Sequence, residues 1–146
     1  LEAMEDALKR LKSLHTIITT LGPDGCVMLT RDRPLSGDSL PAEIANLKEI
    51  IISSAKSSSL ELKNFSYHGF DGLFCSALQL THDQVLDTTG AGDSFVGAVA
   101  WCVAKKFAPK EMLRIASFVA GSNCKCLGSH GGMATQSDIH QLMKCF

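Results

Sequence analysis

The stretch Asp87-Thr-Thr-Gly-Ala-Gly-Asp93-Ser-Phe-Val-Gly-Ala98 constrains this chain more than any other. Two threonines and two glycines lead into an acidic residue, and small and apolar residues at helical spacing follow without a break. The pattern predicts a loop turning into a helix. A first helical turn leaves amides without internal partners and carries the positive end of the macrodipole, so it attracts anions. Gly90 and Gly92 keep side chains away, which lets the amides of residues 90 to 93 approach a phosphate closely. Asp93 then stands where its carboxylate faces whatever the phosphate meets. An anion hole formed by Gly90, Ala91 and Gly92 beside a carboxylate suggests phosphoryl transfer, with Asp93 as the catalytic base taking a proton from an attacking hydroxyl.

Glycine-rich turns entering helices are also common structural devices, so other motifs must be weighed. The dinucleotide pattern G-x-G-x-x-G fails because Phe95 takes the third small position, and the Walker pattern fails because no Gly-Lys-Ser/Thr follows.

The order of residues from Asp87 to Ala100 resembles the second signature of the ribokinase (pfkB) family of carbohydrate and nucleoside kinases, and it matches at each position that signature restricts. Upstream, Thr20-Leu-Gly22-Pro-Asp-Gly25 is similar to the family's T-L-G-x-x-G segment, which lines the nucleotide site. Read alone it is a hairpin turn. With the resemblance, the Thr20 hydroxyl and the backbone of Gly22 become nucleotide contacts, with Gly25 closing the turn.

Downstream, Ser117 to Gly128 resembles the family's adenine-side helix and the glycine that ends it, in wording close to ketohexokinase-like members. The alignment places Ser117 beside the adenine base and Gly128 at the nucleotide site. Read physically, the same residues make an ordinary packed helix with a glycine stop. Asp87 and Thr89 match positions that in ribokinase-like members help form a monovalent cation site, completed by backbone carbonyls near Cys126 and Gly128. The resemblance thus implies ATP and Mg²⁺, with K⁺ as a further cation.

Composition narrows the partners. Lys+Arg of 14 against Asp+Glu of 15 gives a net charge of -1, and no basic run appears, which argues against nucleic acid and membrane surfaces. Apolar content of 45% with 20% charged residues reads as globular, and no stretch reaches the roughly 20 apolar residues of a membrane span. The chain starts Leu-Glu-Ala-Met, without a basic leader and apolar segment, so a reducing, cytoplasmic setting is expected. The six cysteines then read as buried thiols rather than disulfides. Cys124-Lys-Cys126 with His130 lacks the C-x-x-C spacing of a zinc site.

Along the chain, apolar residues at Met4, Ala7, Leu8, Leu11 and Leu14 predict an amphipathic helix over 1–14. Residues 15–21 and 26–30 read as strands, the first buried on both faces as in a parallel α/β sheet. The stretch 31–67 reads as a surface insertion, turn-rich at first, with a short helix opening at Pro41 and a flexible serine-rich linker over 53–59. His68 and Asp71 sit between glycines and read as a polar turn rather than a catalytic pair. Leu73 to Leu80 predicts a strand. The helix after Asp93 is apolar on most sides and reads as buried, Pro109 opens another running to about Cys126, and Thr135-Gln-Ser-Asp138 reads as a capping box for a last helix.

The expected fold class is α/β: the C-terminal part of a ribokinase-like three-layer sandwich, residues 1–146 being its nucleotide-binding portion. Family members run to about twice this length, so the N-terminal half, with the sugar-binding signature, is the missing partner. The expected function is ATP-dependent transfer to an alcohol of a small-molecule sugar. Two alternatives stand beside it: a nucleoside or vitamin-like alcohol as acceptor, and a non-catalytic nucleotide-binding fragment. A fragment alone is expected to be inactive, and a homodimer is expected of the full-length form.

Overall fold

The computed structural model describes residues 1–32, 42–54 and 60–145. They fall into two compact units, Leu1–Ser76 and Ala77–Phe146. The first unit holds helix α1 (Glu2–Arg10), strands β1 (Thr16–Thr20) and β2 (Cys26–Thr30), helix α2 (Leu47–Ser54), and strands β3 (Leu62–Tyr67) and β4 (Phe70–Cys75). The strands make one sheet in the order β1-β2-β4-β3.

Every neighbouring pair in this sheet is antiparallel, which corrects the expectation of a parallel one. The connections explain it, since a parallel pair needs a crossover of a dozen or more residues. β1 reaches β2 through residues 21–25, where the Leu21 amide donates to the Gly25 carbonyl at 2.8 Å. β3 reaches β4 through His68 and Gly69, whose φ angles of 48° and 86° are both left-handed, as a two-residue hairpin turn of the I′ kind requires. The polar turn at 68–69 is therefore present, but Phe70 to Gly72, read with it, belong to β4.

The doubly buried strand is β2 and not β1. β2 lies inside the sheet and is buried throughout, whereas β1 is an edge strand and half-buried. Alternation sends Val27, Leu29, Phe65, Tyr67 and Phe74 to one face, where Met4 and Leu8 of α1 and Ile50 of α2 cover them. Each such side chain contributes about 1.5–3 kcal/mol on burial.

α1 stops at Arg10 rather than Leu14. The Arg31 guanidinium donates to the Leu8 carbonyl and, at 3.4 Å, to that of Leu11, placing a cation on the negative end of the helix. Within 31–67 lie α2, which begins at Leu47, and β3; Pro41 and residues 55–59, hence the expected helix start and most of the serine linker, are outside the described residues. β3 hid from the sequence reading because only Phe65 and Tyr67 mark its inward face, with Lys63 in register beside them.

In the second unit, a short 3-10 turn (His82–Gln84) precedes α3 (Ala91–Ala104), α4 (Pro109–Asn123) and α5 (Gln136–Met143). α4 opens on Pro109, and Glu111 accepts the Ala108 amide at 3.2 Å. It ends at Asn123, short of Cys126. α5 carries the expected box, with Asp138 accepting the Thr135 amide at 2.7 Å and donating its own to the Thr135 hydroxyl at 3.3 Å. α3 departs from expectation: only Ser94, Phe95, Ala98 and Cys102 are buried, while Val96 and Val103 are 66% and 63% exposed. Its apolar residues outnumber the one stripe that packs. Among the described residues no helix is long and apolar enough to cross a membrane.

Candidate functional site

The loop before α3 is shaped by Asp87. Its Oδ1 accepts the Thr89 amide at 2.9 Å, folding the chain back two residues on, and its Oδ2 accepts the Gly128 amide at 2.9 Å. The Leu86 and Asp87 amides in turn donate to the Cys124 carbonyl at 2.9 and 3.3 Å. Two loops, one entering α3 and one leaving α4, are thereby laced together. The Thr89 hydroxyl first, then the amides of Thr89 and Gly128, hold the Asp87 carboxyl below the usual carboxylate range. It is thus an anion whose role here is structural.

Gly90 caps α3 in the left-handed region, with φ 77°. A Cβ there would also lie 2.6 Å from the Cβ of Ser129. Both constraints demand glycine. From this cap the chain enters α3, where the Ala91 amide donates to the Thr88 carbonyl at 3.2 Å and the Ser94 amide to that of Gly90 at 2.9 Å. The Ala91 N–H, expected in the anion hole, is engaged in this turn bond. The amides of Gly90, Gly92 and Asp93 have no acceptor among the described residues.

The Asp93 side chain is exposed and makes no hydrogen bond or ion pair among the described residues. It stands on the wall of a cavity of about 320 Å³ in the second unit, whose other walls include Ser94, Trp101, Val119, Met133 and Ile139. Ser94 is buried, and its Oγ has no partner among the described residues. The arrangement offers three N–H donors and a free carboxylate within one helical turn, beside an open, largely apolar pocket.

The structure joins Asp87, Thr89, Gly90, Ala91, Gly92, Asp93 and Gly128. Gly128 is left-handed at φ 79°, with its amide committed to Asp87. Ser117, expected beside an adenine base, lies on the inward face of α4 and is 6% exposed, with Leu113, Ala116 and Val119 also buried on that helix. Thr20, Gly22 and Gly25 belong to the first unit. There Thr20 is the exposed last residue of β1, and Gly22 and Gly25 close the turn through a 3.2 Å backbone bond.

Sequence reasoning missed Asn123. It is fully buried, and its Nδ2 donates to the Thr89 carbonyl at 2.9 Å, tying the end of α4 to the α3 loop. A Cβ on Gly132 would lie 2.7 Å from the Asn123 backbone, so the following loop closes over it. An asparagine on the apolar side of α4, at its end, was the only available signal. The Asn123 Oδ1 is buried without a donor among the described residues. Carboxylate, carbonyl and amide oxygens of this kind are the donor types that a hard monovalent cation takes. Among the described residues no three His, Cys, Asp or Glu side chains cluster as a metal cage, and all six cysteines are free thiols.

Fold and site together define an α/β protein with an anion-receptive helix start beside an acid. The model of the pfkB family carbohydrate kinases matches residues 47–136, more than half of the chain and including this whole loop, and the chain belongs to that family. It is 30% identical over 74 residues to a ribokinase of Lactococcus lactis subsp. lactis, covering 51% of this chain and 25% of that protein. It is 36% identical over 58 residues to a ribokinase of Mus musculus, covering 38% of this chain and 18% of that protein. Among solved structures, a nucleoside kinase of Burkholderia thailandensis in complex with inosine matches 99% of this chain and 37% of that one, with a TM-score of 0.55 at 14% identity. That likeness shows a common fold, of which this chain spans a part.

Proposed function

We propose that this chain carries the phosphoryl-transfer part of an ATP-dependent kinase acting on an alcohol group of a sugar. The observation that carries the reading is the pairing of three uncommitted amides, those of Gly90, Gly92 and Asp93, with the free carboxylate of Asp93 at a cavity wall. Asp93 takes the proton of the acceptor hydroxyl as its oxygen attacks the terminal phosphorus of ATP. The three N–H groups and the positive end of α3 face the charge on the transferring group.

Asp87 and Asn123 fix the approach of the two loops and so hold the amides in register. A monovalent cation would be held by Asp87 and Thr89 with backbone carbonyls near Cys126 and Gly128, and when bound it would add positive charge next to the anion site. The described residues supply no carboxylate cage for Mg²⁺, which would travel on the nucleotide phosphates. Thr20 and Gly22 remain the proposed nucleotide contacts of the first unit.

The test uses the full-length protein that carries this chain. Asp93→Asn should lower transfer by about 10²–10⁴-fold while leaving nucleotide affinity within a few-fold. A near-normal rate would remove Asp93 as the base.

One observation favours a second acceptor class. Trp101, Val119, Met133 and Ile139 give the cavity beside Asp93 an apolar lining suited to a flat, partly apolar acceptor such as a nucleoside. Comparing kcat/KM for free sugars and nucleosides separates the two readings.

A further inference from the structure

Cys26 and Cys75 are direct cross-strand partners in the register of β2 and β4. Directly opposed residues of an antiparallel pair project to the same face, with Cα atoms about 4.5–5.5 Å apart. A disulfide takes Cα separations of about 4.4–6.8 Å, so the backbone already holds these two residues at bonding range. Neither is in a disulfide, and the Cys75 thiol donates to the Ser76 carbonyl at 3.5 Å. They lie outside the core cluster of Val27, Leu29, Phe65 and Phe74, on the opposite face, and are 1% and 0% exposed.

Their place in the strands matters as much as their separation. Cys26 is the first residue of β2 and Cys75 the last of β4, so the pair ends the β2–β4 ladder, with one further backbone bond beyond it on each side, from Leu21 to Gly25 and from Ser76 to Glu61. The turn 21–25 immediately precedes Cys26. Brief opening of this end would admit a small oxidant to thiols that the closed sheet shields. Neither residue is needed as a thiol by the proposed phosphoryl transfer.

We propose that Cys26 and Cys75 form a reversible cross-strand disulfide on exposure to a peroxide. One thiol sulfur attacks a peroxide oxygen, giving a sulfenic acid and water. The second thiol sulfur displaces the hydroxyl from that sulfenic sulfur, giving the disulfide and a second water, with both protons leaving in the waters. A dithiol reductant reverses it by exchange. Opposed Cβ atoms start somewhat farther apart than a relaxed disulfide wants, which favours a bridge that is easily reduced. The proposal concerns the sheet and stands whether or not Thr20 and Gly22 meet a nucleotide.

The experiment treats the full chain with hydrogen peroxide, denatures it in excess alkylating reagent, and maps the peptides by mass. The expected result is one linked peptide pair joining Cys26 to Cys75, lighter by two hydrogens, with both thiols lost to alkylation and restored by dithiothreitol. A variant with Cys102, Cys124, Cys126 and Cys145 changed to Ser should show the same loss. The proposal is overturned if Cys26 and Cys75 stay alkylatable in the oxidised wild-type chain, if either is found joined to another cysteine instead, or if the loss is not reversed by dithiothreitol.

Discussion

Gly72 shows how a single missing Cβ organises the first sheet. It lies opposite Phe65 in the β3–β4 register, and a Cβ there would stand 2.1 Å from the Phe65 ring. The ring is 1% exposed and packed in the core, so it cannot swing away. Gly72→Ala should therefore overpack the sheet and destabilise it by about 1–3 kcal/mol, read as a lower urea midpoint at unchanged slope. An unchanged midpoint would show the ring free to move. Gly90 carries a different constraint, with its left-handed backbone and its approach to Ser129. Gly90→Ala should push the 128–129 loop off the cradle and break the Gly128–Asp87 bond, costing about 1–3 kcal/mol and weakening nucleotide binding in the full-length protein. Calorimetric titration with a nucleotide checks it, and wild-type affinity would mean the loop tolerates the shift. Of this site, Gly90 and Asp93 were legible because one local run of sequence defines them. Ser129 and Asn123 were not, since they reach the loop from far along the chain and no local pattern announces such a partner.

Between elements, Arg31 is one tie that links α1 to the sheet. It follows β2 and reaches the last carbonyls of α1, so one side chain joins the end of a core strand to the end of the helix that covers it. Arg31→Ala should fray α1 from its C-terminal end and cost about 0.3–1 kcal/mol, seen as faster hydrogen exchange at Leu8 to Leu11 than elsewhere in the unit. Uniform exchange across the unit would place the effect in the whole fold instead. Helices were the most legible elements: α3, α4 and α5 each open where a glycine, a proline or a Thr-x-x-Asp box marks the first turn. Strand direction was not legible, because a run such as Thr16 to Thr20 reads alike in parallel and antiparallel sheets, and only the short turns that follow decide between them. β3 failed for a related reason. Its polar side chains share the sheet faces with two aromatic residues, so no clean alternation survived.

Across the whole molecule, four hydrogen-bonded carboxylates shift in one direction. Glu5 is held below the usual range by the Lys9 ammonium and then by His68, whose Nδ1 lies 3.0 Å from its Oε2. Asp83, Asp87 and Asp138 are held low chiefly by the hydroxyls of Thr81, Thr89 and Thr135. A group whose folded pKa is depressed binds its proton more tightly in the unfolded chain. Its stabilising contribution is therefore complete above the unfolded value, about 4, and is lost as pH falls through the lower folded value. Because Glu5 belongs to the first unit and the three aspartates to the second, both units should weaken in acid. At the alkaline end the sign reverses. Burial pushes the Cys102 thiol from 9.0 up to about 11, so its contribution is present below 9.0 and is lost as pH rises toward the folded value. Urea midpoints measured from pH 2 to 11 should thus form a plateau between about 4 and 9 that falls on both sides. Asp87→Asn should flatten the acid limb through loss of one linked proton, and Cys102→Ala should flatten the alkaline one. A wild-type midpoint that holds steady from pH 5 to 2 would mean that these hydrogen-bonded carboxylates do not distinguish the folded from the unfolded chain, and the lacing of the α3 loop by Asp87 would lose its energetic basis.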